Sequence, residues 1–212
     1  MTLNFIYPPI CGICGKLNND FLCKKCEIIL KSQAKFEIIE NKYNSNFYDK
    51  HLYVFQYQGL IRRLLLDYKF NEKAYLYKTF VNFLLKDKKI FNLLKTYDTI
   101  IPVPISKNRK KQRGYNQCLL LSKEISKILQ IENNNNCLYK KKDILPQSTL
   151  NKEERGQNIK GAYEIKNIET IQNKRILLID DIFTTGSTLN ECAKVLKKAN
   201  PNKIDCLTIA KD

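Results

Sequence analysis

Ile176-Leu177-Leu178-Ile179-Asp180-Asp181-Ile182-Phe183-Thr184-Thr185-Gly186-Ser187-Thr188 is the stretch from which the rest of the chain is read. A hydrophobic strand from about Arg175 delivers two carboxylates to its carboxyl end, the edge of an open α/β sheet where ligands sit. Small and hydroxylated residues follow, and Gly186 lets the backbone come close to a ligand. They lead into a helix starting near Thr188, whose first amides point at the loop and suit a phosphate. Beside a phosphate the two acids would repel it, so their natural partners are hydroxyls or a divalent cation. A sugar phosphate satisfies both halves: phosphate on Thr184, Thr185, Gly186, Ser187 and Thr188, ribose hydroxyls on Asp180 and Asp181. No Gly-Lys-Ser/Thr ending is present, so this is not a Walker loop. A helix cap at Ser187 or Thr188 would account for one hydroxyl residue and leave the rest unexplained.

On either side of this stretch, strands alternate with helices. Residues 53–57 read as a strand, and Gly59 opens a helix with Leu60, Ile61, Leu64, Leu65 and Tyr68 on one face. A second helix is expected over about 74–94, a strand over 99–104, a helix over 116–130 and a turn in the Asn133–Asn136 run. Short strands are expected over 137–142 and 162–165, a helix after the acids to about Ala199, and a last strand over 203–210. This pattern predicts an α/β fold with a mostly parallel sheet.

The chain carries 37 Lys and Arg against 21 Asp and Glu, a net of +16, and of its 212 residues 31 are Lys and 6 Arg. Such a charge favours polyanions. Residues 101–142 alone hold ten cations against Glu124 and Glu132. Five of them, Lys107, Arg109, Lys110, Lys111 and Arg113, fall in seven residues between a strand and a helix, just before Gly114. Read as a loop, this run lies at the same sheet edge as the acids. It suits a pyrophosphate with Mg²⁺ or a nucleic-acid backbone, with Tyr115 available to stack on a base. Its rival reading is a solvated charge run.

Cys11-Gly-Ile-Cys14 and Cys23-Lys-Lys-Cys26 form two Cys-x-x-Cys pairs eight residues apart. Four thiolates in two pairs fit a closed, structural tetrahedral Zn²⁺ site, with Gly12 and Gly15 easing the turns. The rival, a redox dithiol, needs only one pair inside a βαβ unit. Residues 1–35 are therefore read as a zinc-binding module and 36–212 as the main domain. Cys118, Cys137, Cys192 and Cys206 read as small core residues. His51, the only histidine, reads as a surface residue before a strand, which leaves Ser–His–Asp and Cys–His machinery without support. Apolar stretches are too short to span a membrane, and no secretory signal follows Met1; a cytoplasmic location is expected.

The acid–glycine stretch resembles the phosphoribosyl-pyrophosphate (PRPP) signature of type I phosphoribosyltransferases. Ile101-Pro102-Val103-Pro104, Arg113-Gly114-Tyr115-Asn116-Gln117, Pro146-Gln147 with Leu150, Arg155 and Asn158, Gly161-Ala162-Tyr163, and upstream Tyr57-Gln58-Gly59 and Lys69-Phe70 extend the likeness. Together with the four cysteines they resemble the ComF family of competence-associated proteins. The resemblance implies a Rossmann-like phosphoribosyltransferase domain behind a zinc module, binding PRPP or ribose 5-phosphate with Mg²⁺. It implies a mobile loop from about Gln147 to Asn158, including Arg155, and a role in natural transformation, with single-stranded DNA and the DNA-uptake machinery as partners. Lys69 could then face the site. Lys140-Lys141-Lys142 departs from the Arg-containing sequence expected there and lacks the bidentate fork. An active site of this kind would transfer a pentosyl group from PRPP to a nitrogen nucleophile. No side chain stands out as its general base, so a binding protein that keeps the pocket and a PRPP sensor remain open alternatives.

Overall fold

The structure, a computed structural model, describes residues 10–41, 46–141 and 159–212. The cysteine-rich segment leads into α1 (Lys24–Gln33), which buries Cys26 and Leu30. The chain passes at once into β1 (Ala34–Glu40), antiparallel to β2 (Lys50–Gln56). Neither α1 nor β1 is foreshadowed by a clean period. In β1 both faces are largely exposed, so apolar and polar residues do not alternate.

α2 (Gly59–Phe70) buries Ile61, Leu64, Leu65 and Tyr68, the face its 3.6-residue period specifies. The single helix expected over 74–94 is two, α3 (Leu76–Leu85) and α4 (Lys88–Leu94). Asp87 breaks it: its carboxylate accepts the amides of Lys89 (2.8 Å) and Ile90 (3.2 Å) and caps a new helix. β3 (Thr99–Pro102) follows. The basic run is not a loop but a short helix, α5 (Lys107–Arg113). Ser106 caps its start by accepting the Arg109 amide at 3.3 Å, and the Gly114 amide closes its end on the Lys110 carbonyl. It buries no residue fully, so hydrophobic periodicity gives no sign of it.

α6 (Gln117–Leu129) leads to β4 (Glu132–Asn133). β5 (Leu138–Lys140) and β6 (Tyr163–Ile165) pair only with each other, antiparallel, outside the main sheet. β7 (Arg175–Phe183), α7 (Ser187–Leu196) and β8 (Lys203–Lys211) complete the chain. The main sheet runs β1-β2-β8-β7-β3-β4, parallel except at β1–β2. β7 and β8 are buried on both faces, which is why they read as continuous apolar runs. Alternate residues serve opposite cores. Leu177, Ile179, Leu207 and Ile209 join α2, α3, α4 and α6, whereas Ile176, Leu178, Ile204 and Cys206 join α7 and the β5–β6 pair.

From the central pair, β3 and β7, the chain winds outward in opposite directions: through α5 and α6 to β4, and through α7 to β8. A crevice opens beyond the carboxyl ends of strands at such a switch point. His51 is not on the surface. It is 2% exposed in β2, with Nε2 2.9 Å from Thr208 Oγ1 and its ring stacked on Phe183 at 4.2 Å. Burial, then the charge of Lys211, pushes its pKa down to about 4, so it is neutral. β2 is buried on both faces from His51 to Phe55, between β1 and β8, so a residue here has no solvent-facing side.

Candidate functional site

A cleft of about 510 Å³ lies at this switch point. β7 supplies Asp180 and Asp181, and the turn into α7 supplies Thr184 through Thr188. Gly186 holds φ +76°, and a Cβ there would lie 2.6 Å from the Phe183 ring. Both facts demand glycine. Thr185 and Ser187 hydroxyls lie 2.9 Å apart across it. α7 begins at Gly186 with no side-chain cap among the described residues, so its start carries the positive end of the helix dipole into the cleft.

Asp180 Oδ1 accepts the Asp181 amide at 2.9 Å and the Cys118 thiol at 3.2 Å. Burial first, and the neighbouring Asp181 charge second, raise Asp180 to about 6. Burial and the Asp180 charge also raise Cys118 well above the usual thiol range, so it stays protonated and donates. Asp181, 6% exposed, takes the Lys69 ammonium on Oδ1 at 2.9 Å. Lys69 comes from the last turn of α2, so the upstream helix does face the acids.

The helical form of the basic run sorts its cations. Arg109 and Arg113, one turn apart, line the cleft. Lys107, Lys110 and Lys111 are exposed and line no part of it, and neither does Gly114. Arg113 donates to Gln117 Oε1 at 3.1 Å and lies 4.8 Å above the Phe70 ring. Tyr115 is turned away from the cleft: its hydroxyl donates to the Tyr68 carbonyl and its ring packs on Tyr68. The expected mobile-loop residues Gln147, Arg155 and Asn158, with Lys142, lie outside the described residues. Tyr57, Gln117 and Tyr163, quoted above only as part of the family likeness, also line the cleft, as do Cys118, expected only as a core residue, and Asp212, which carried no sequence signal. Lys140 does line the cleft and lies 5.3 Å from the Tyr163 ring centroid.

The acid pair does not suit a directly bound divalent cation. Lys69 already sits on Asp181, and an ammonium ~4 Å from a dication costs about 8 kcal/mol at an effective dielectric of roughly 20.

The four cysteine sulfurs lie within 4.8 Å of one another, those of Cys14 and Cys23 3.9 Å apart. Tetrahedral Zn–S bonds near 2.3 Å set sulfurs about 3.8 Å apart, so the donor set fits zinc. Burial opposes the Cys11 thiolate, but amides of Cys14, Cys23 and Ile13 outweigh it and bring its pKa to about 6. Cys26 is raised, by burial first and the neighbouring sulfurs next. The knuckle docks on α3. The Thr79 hydroxyl and the Gly12 amide share the Phe21 carbonyl, Asn82 donates to Asp20, and Lys86 pairs with Glu27 at 2.8 Å. Gly12 is needed for closeness rather than for the turn, because a Cβ there would lie 2.2 Å from Thr79 Oγ1. Gly15, at φ +71°, makes the turn. Cys137, Cys192 and Cys206 are core residues, as is Cys118 apart from its bond to Asp180.

Among the described residues, no helix is long and apolar enough to cross a membrane. The phosphoribosyl transferase domain family matches residues 116–212, and the mostly parallel sheet is of the type I phosphoribosyltransferase kind. A purine phosphoribosyltransferase from Pyrococcus horikoshii is similar in backbone, with 16% identity over 65% of this chain and 83% of that one and a TM-score of 0.41. The chain is 28% identical over 202 residues to competence protein ComFC of Streptococcus pneumoniae, across 95% of this chain and 80% of that one. It is 31% identical over 207 residues to competence protein F of Haemophilus influenzae, across 96% of this chain and 85% of that one. With four clustered cysteines ahead of a phosphoribosyltransferase-like domain, the chain belongs to the competence protein F (ComF) family.

Proposed function

We propose that the switch-point cleft binds a ribose 5-phosphate group, as PRPP, in a protein of natural transformation acting in the cytoplasm. The observation that carries this reading is the meeting of a buried acid pair and a glycine-forced helix start in one cleft. Thr184 to Thr188 hold the 5′-phosphate, and Asp180 and Asp181 accept the ribose hydroxyls. Arg109 and Arg113 face the pyrophosphate, which brings any Mg²⁺ on its own oxygens. In turnover, a nitrogen lone pair forms the new bond at ribose C1 as the C1–O bond breaks, and pyrophosphate leaves with the electron pair. The cationic wall and the anchored phosphate serve by positioning and by stabilising the leaving charge. Zn²⁺ on Cys11, Cys14, Cys23 and Cys26 folds the module of residues 1–35 and fixes it on the domain of 36–212. PRPP with Mg²⁺ should raise the melting temperature of the wild type and leave Asp180→Ala/Asp181→Ala unmoved. No shift in the wild type at saturating PRPP sinks the reading.

A second reading, DNA and partner binding without turnover, is favoured by the solvent-facing Lys107, Lys110 and Lys111 beside the cleft. It predicts that Lys110→Ala/Lys111→Ala weakens single-stranded DNA binding and lowers its salt dependence by about two ions. Unchanged binding at low salt counts against it. The names of the relatives, competence proteins, support a place in DNA uptake for either reading.

A further inference from the structure

We infer that Lys69 is the resident cation of the acid pair: it occupies the seat a divalent metal would take on Asp181, so this cleft accepts a sugar phosphate without a metal on its carboxylates. The inference rests on the reading of Asp180 and Asp181 as partners of the ribose hydroxyls.

Three consecutive residues at the end of α2 fasten to three walls of the cleft. The Tyr68 hydroxyl donates to the Gln117 carbonyl of α6 at 2.8 Å. Lys69 Nζ meets Asp181 Oδ1 of β7 at 2.9 Å. Phe70 lies under the Arg113 guanidinium of α5 at 4.8 Å. Tyr68 is fully buried and anchors the turn, so Lys69 is held at the acids and is not a wandering surface lysine. Its side chain is 18% exposed and that of Asp181 8%, so the pair is formed largely out of water, where a partner charge matters most.

The geometry gives Lys69 a double use. An ammonium has three donors, and one lies on Asp181. The exposed remainder faces the cleft that Arg109 and Arg113 also line. Asp181 keeps Oδ2 for a hydroxyl, while its negative charge, which would repel an arriving phosphate, is already offset. Asp180 is handled differently, by two hydrogen bonds to one oxygen. Of the two acids, Asp181 thus has its charge offset by the chain itself, and Asp180 is held by hydrogen bonds alone. Lys69 is a positioning residue: it acts on the ligand through Asp181 and through charge.

The test uses the full-length zinc-loaded chain with Mn²⁺ as probe, read from the electron paramagnetic resonance of free Mn²⁺. The wild type without ligand should bind no Mn²⁺ at the acids. Lys69→Met, similar in length and neutral, should gain Mn²⁺ affinity at least about tenfold, and Lys69→Met/Asp180→Asn/Asp181→Asn should lose the gain. Lys69→Arg should stay closed to the ion. Tight Mn²⁺ binding by the wild type that Asp180→Asn/Asp181→Asn abolishes, or no gain in folded Lys69→Met, overturns the inference. Should Lys69→Met fail to fold, Lys69→Gln serves, and the wild-type arm decides by itself. Ribose 5-phosphate affinity should also be equal with and without Mg²⁺, and a tenfold need for Mg²⁺ would overturn the inference. The Mn²⁺ arm involves no sugar phosphate, so a cleft that binds none would defeat the proposed function while leaving this result to stand.

Discussion

The cysteine cluster and the switch-point cleft are built in opposite ways. All four sulfurs come from sixteen consecutive positions, 11–26, and the cluster is fastened to the domain at one helix, α3. The cleft draws Lys69, Arg109, Arg113, Cys118, Asp181 and Gly186 from four separate stretches, brought together by the main sheet and the helices packed on it. A local cluster has little apolar burial of its own and depends on its ion. A composite site is rigid because its strands are core, and it can carry charges that oppose folding. The contrast teaches where each site should be fragile.

The largest effect should come from the cluster. Cys11→Ser/Cys26→Ser removes the two buried ligands. Zinc should fall from near one per chain to almost none. The melting temperature should drop by on the order of 10 °C, a few kcal/mol at about 2–4 °C each. Unchanged melting would mean that the segment folds without metal and that the contrast is false.

Two glycines sharpen it. Gly186→Ala puts a side chain at φ +76° against the Phe183 ring, which costs roughly 1–2 kcal/mol for the backbone alone. Ligand affinity should fall about tenfold or more. Gly12→Ala drives a methyl into Thr79 and Leu76 and should cost about 1–3 kcal/mol of stability with sugar-phosphate affinity unmoved. Calorimetry on both variants separates the regions, and equal affinity losses would couple them.

The smallest effect runs the other way. Asp180 titrates near 6 in the folded chain against an ordinary 3.8. Between those values the folded state binds more protons than the unfolded one, so stability declines as pH rises through that window and stays reduced above it. Asp180→Asn keeps the acceptor oxygen and removes the charge. It should melt a few degrees higher than the wild type at about pH 7.5 and no higher near pH 3.5. A lower melting temperature at both pH values would show that the acid contributes to folding rather than opposing it.

What the sequence disclosed follows the same division. The cysteine spacing and the acid–glycine stretch are local patterns, and each group does come together in space. The sorting of the basic run was hidden because α5 has no buried face. Ser106 and Gly114 bound a helix whose cations only then divide into Arg109 and Arg113 inward and three lysines outward. The break at Asp87 was hidden because α3 and α4 share one apolar character. Lys69 and Asp181 are more than a hundred residues apart, and no period links them. His51 was misplaced because one polar residue at a strand end gives no face until β8 and Phe183 lie beside it. Tyr115 looked exposed beside five cations, yet its hydroxyl is used on the Tyr68 carbonyl.

The central claim is that a ribose 5-phosphate group sits where β7 meets α7. Amide chemical-shift mapping of the zinc-loaded chain with ribose 5-phosphate tests it most directly. The account predicts saturable shifts greatest at Gly186, Ser187 and Thr188, lost in Asp180→Ala/Asp181→Ala. Shifts greatest on the lysine face of α5, or none at saturating ligand, would contradict it.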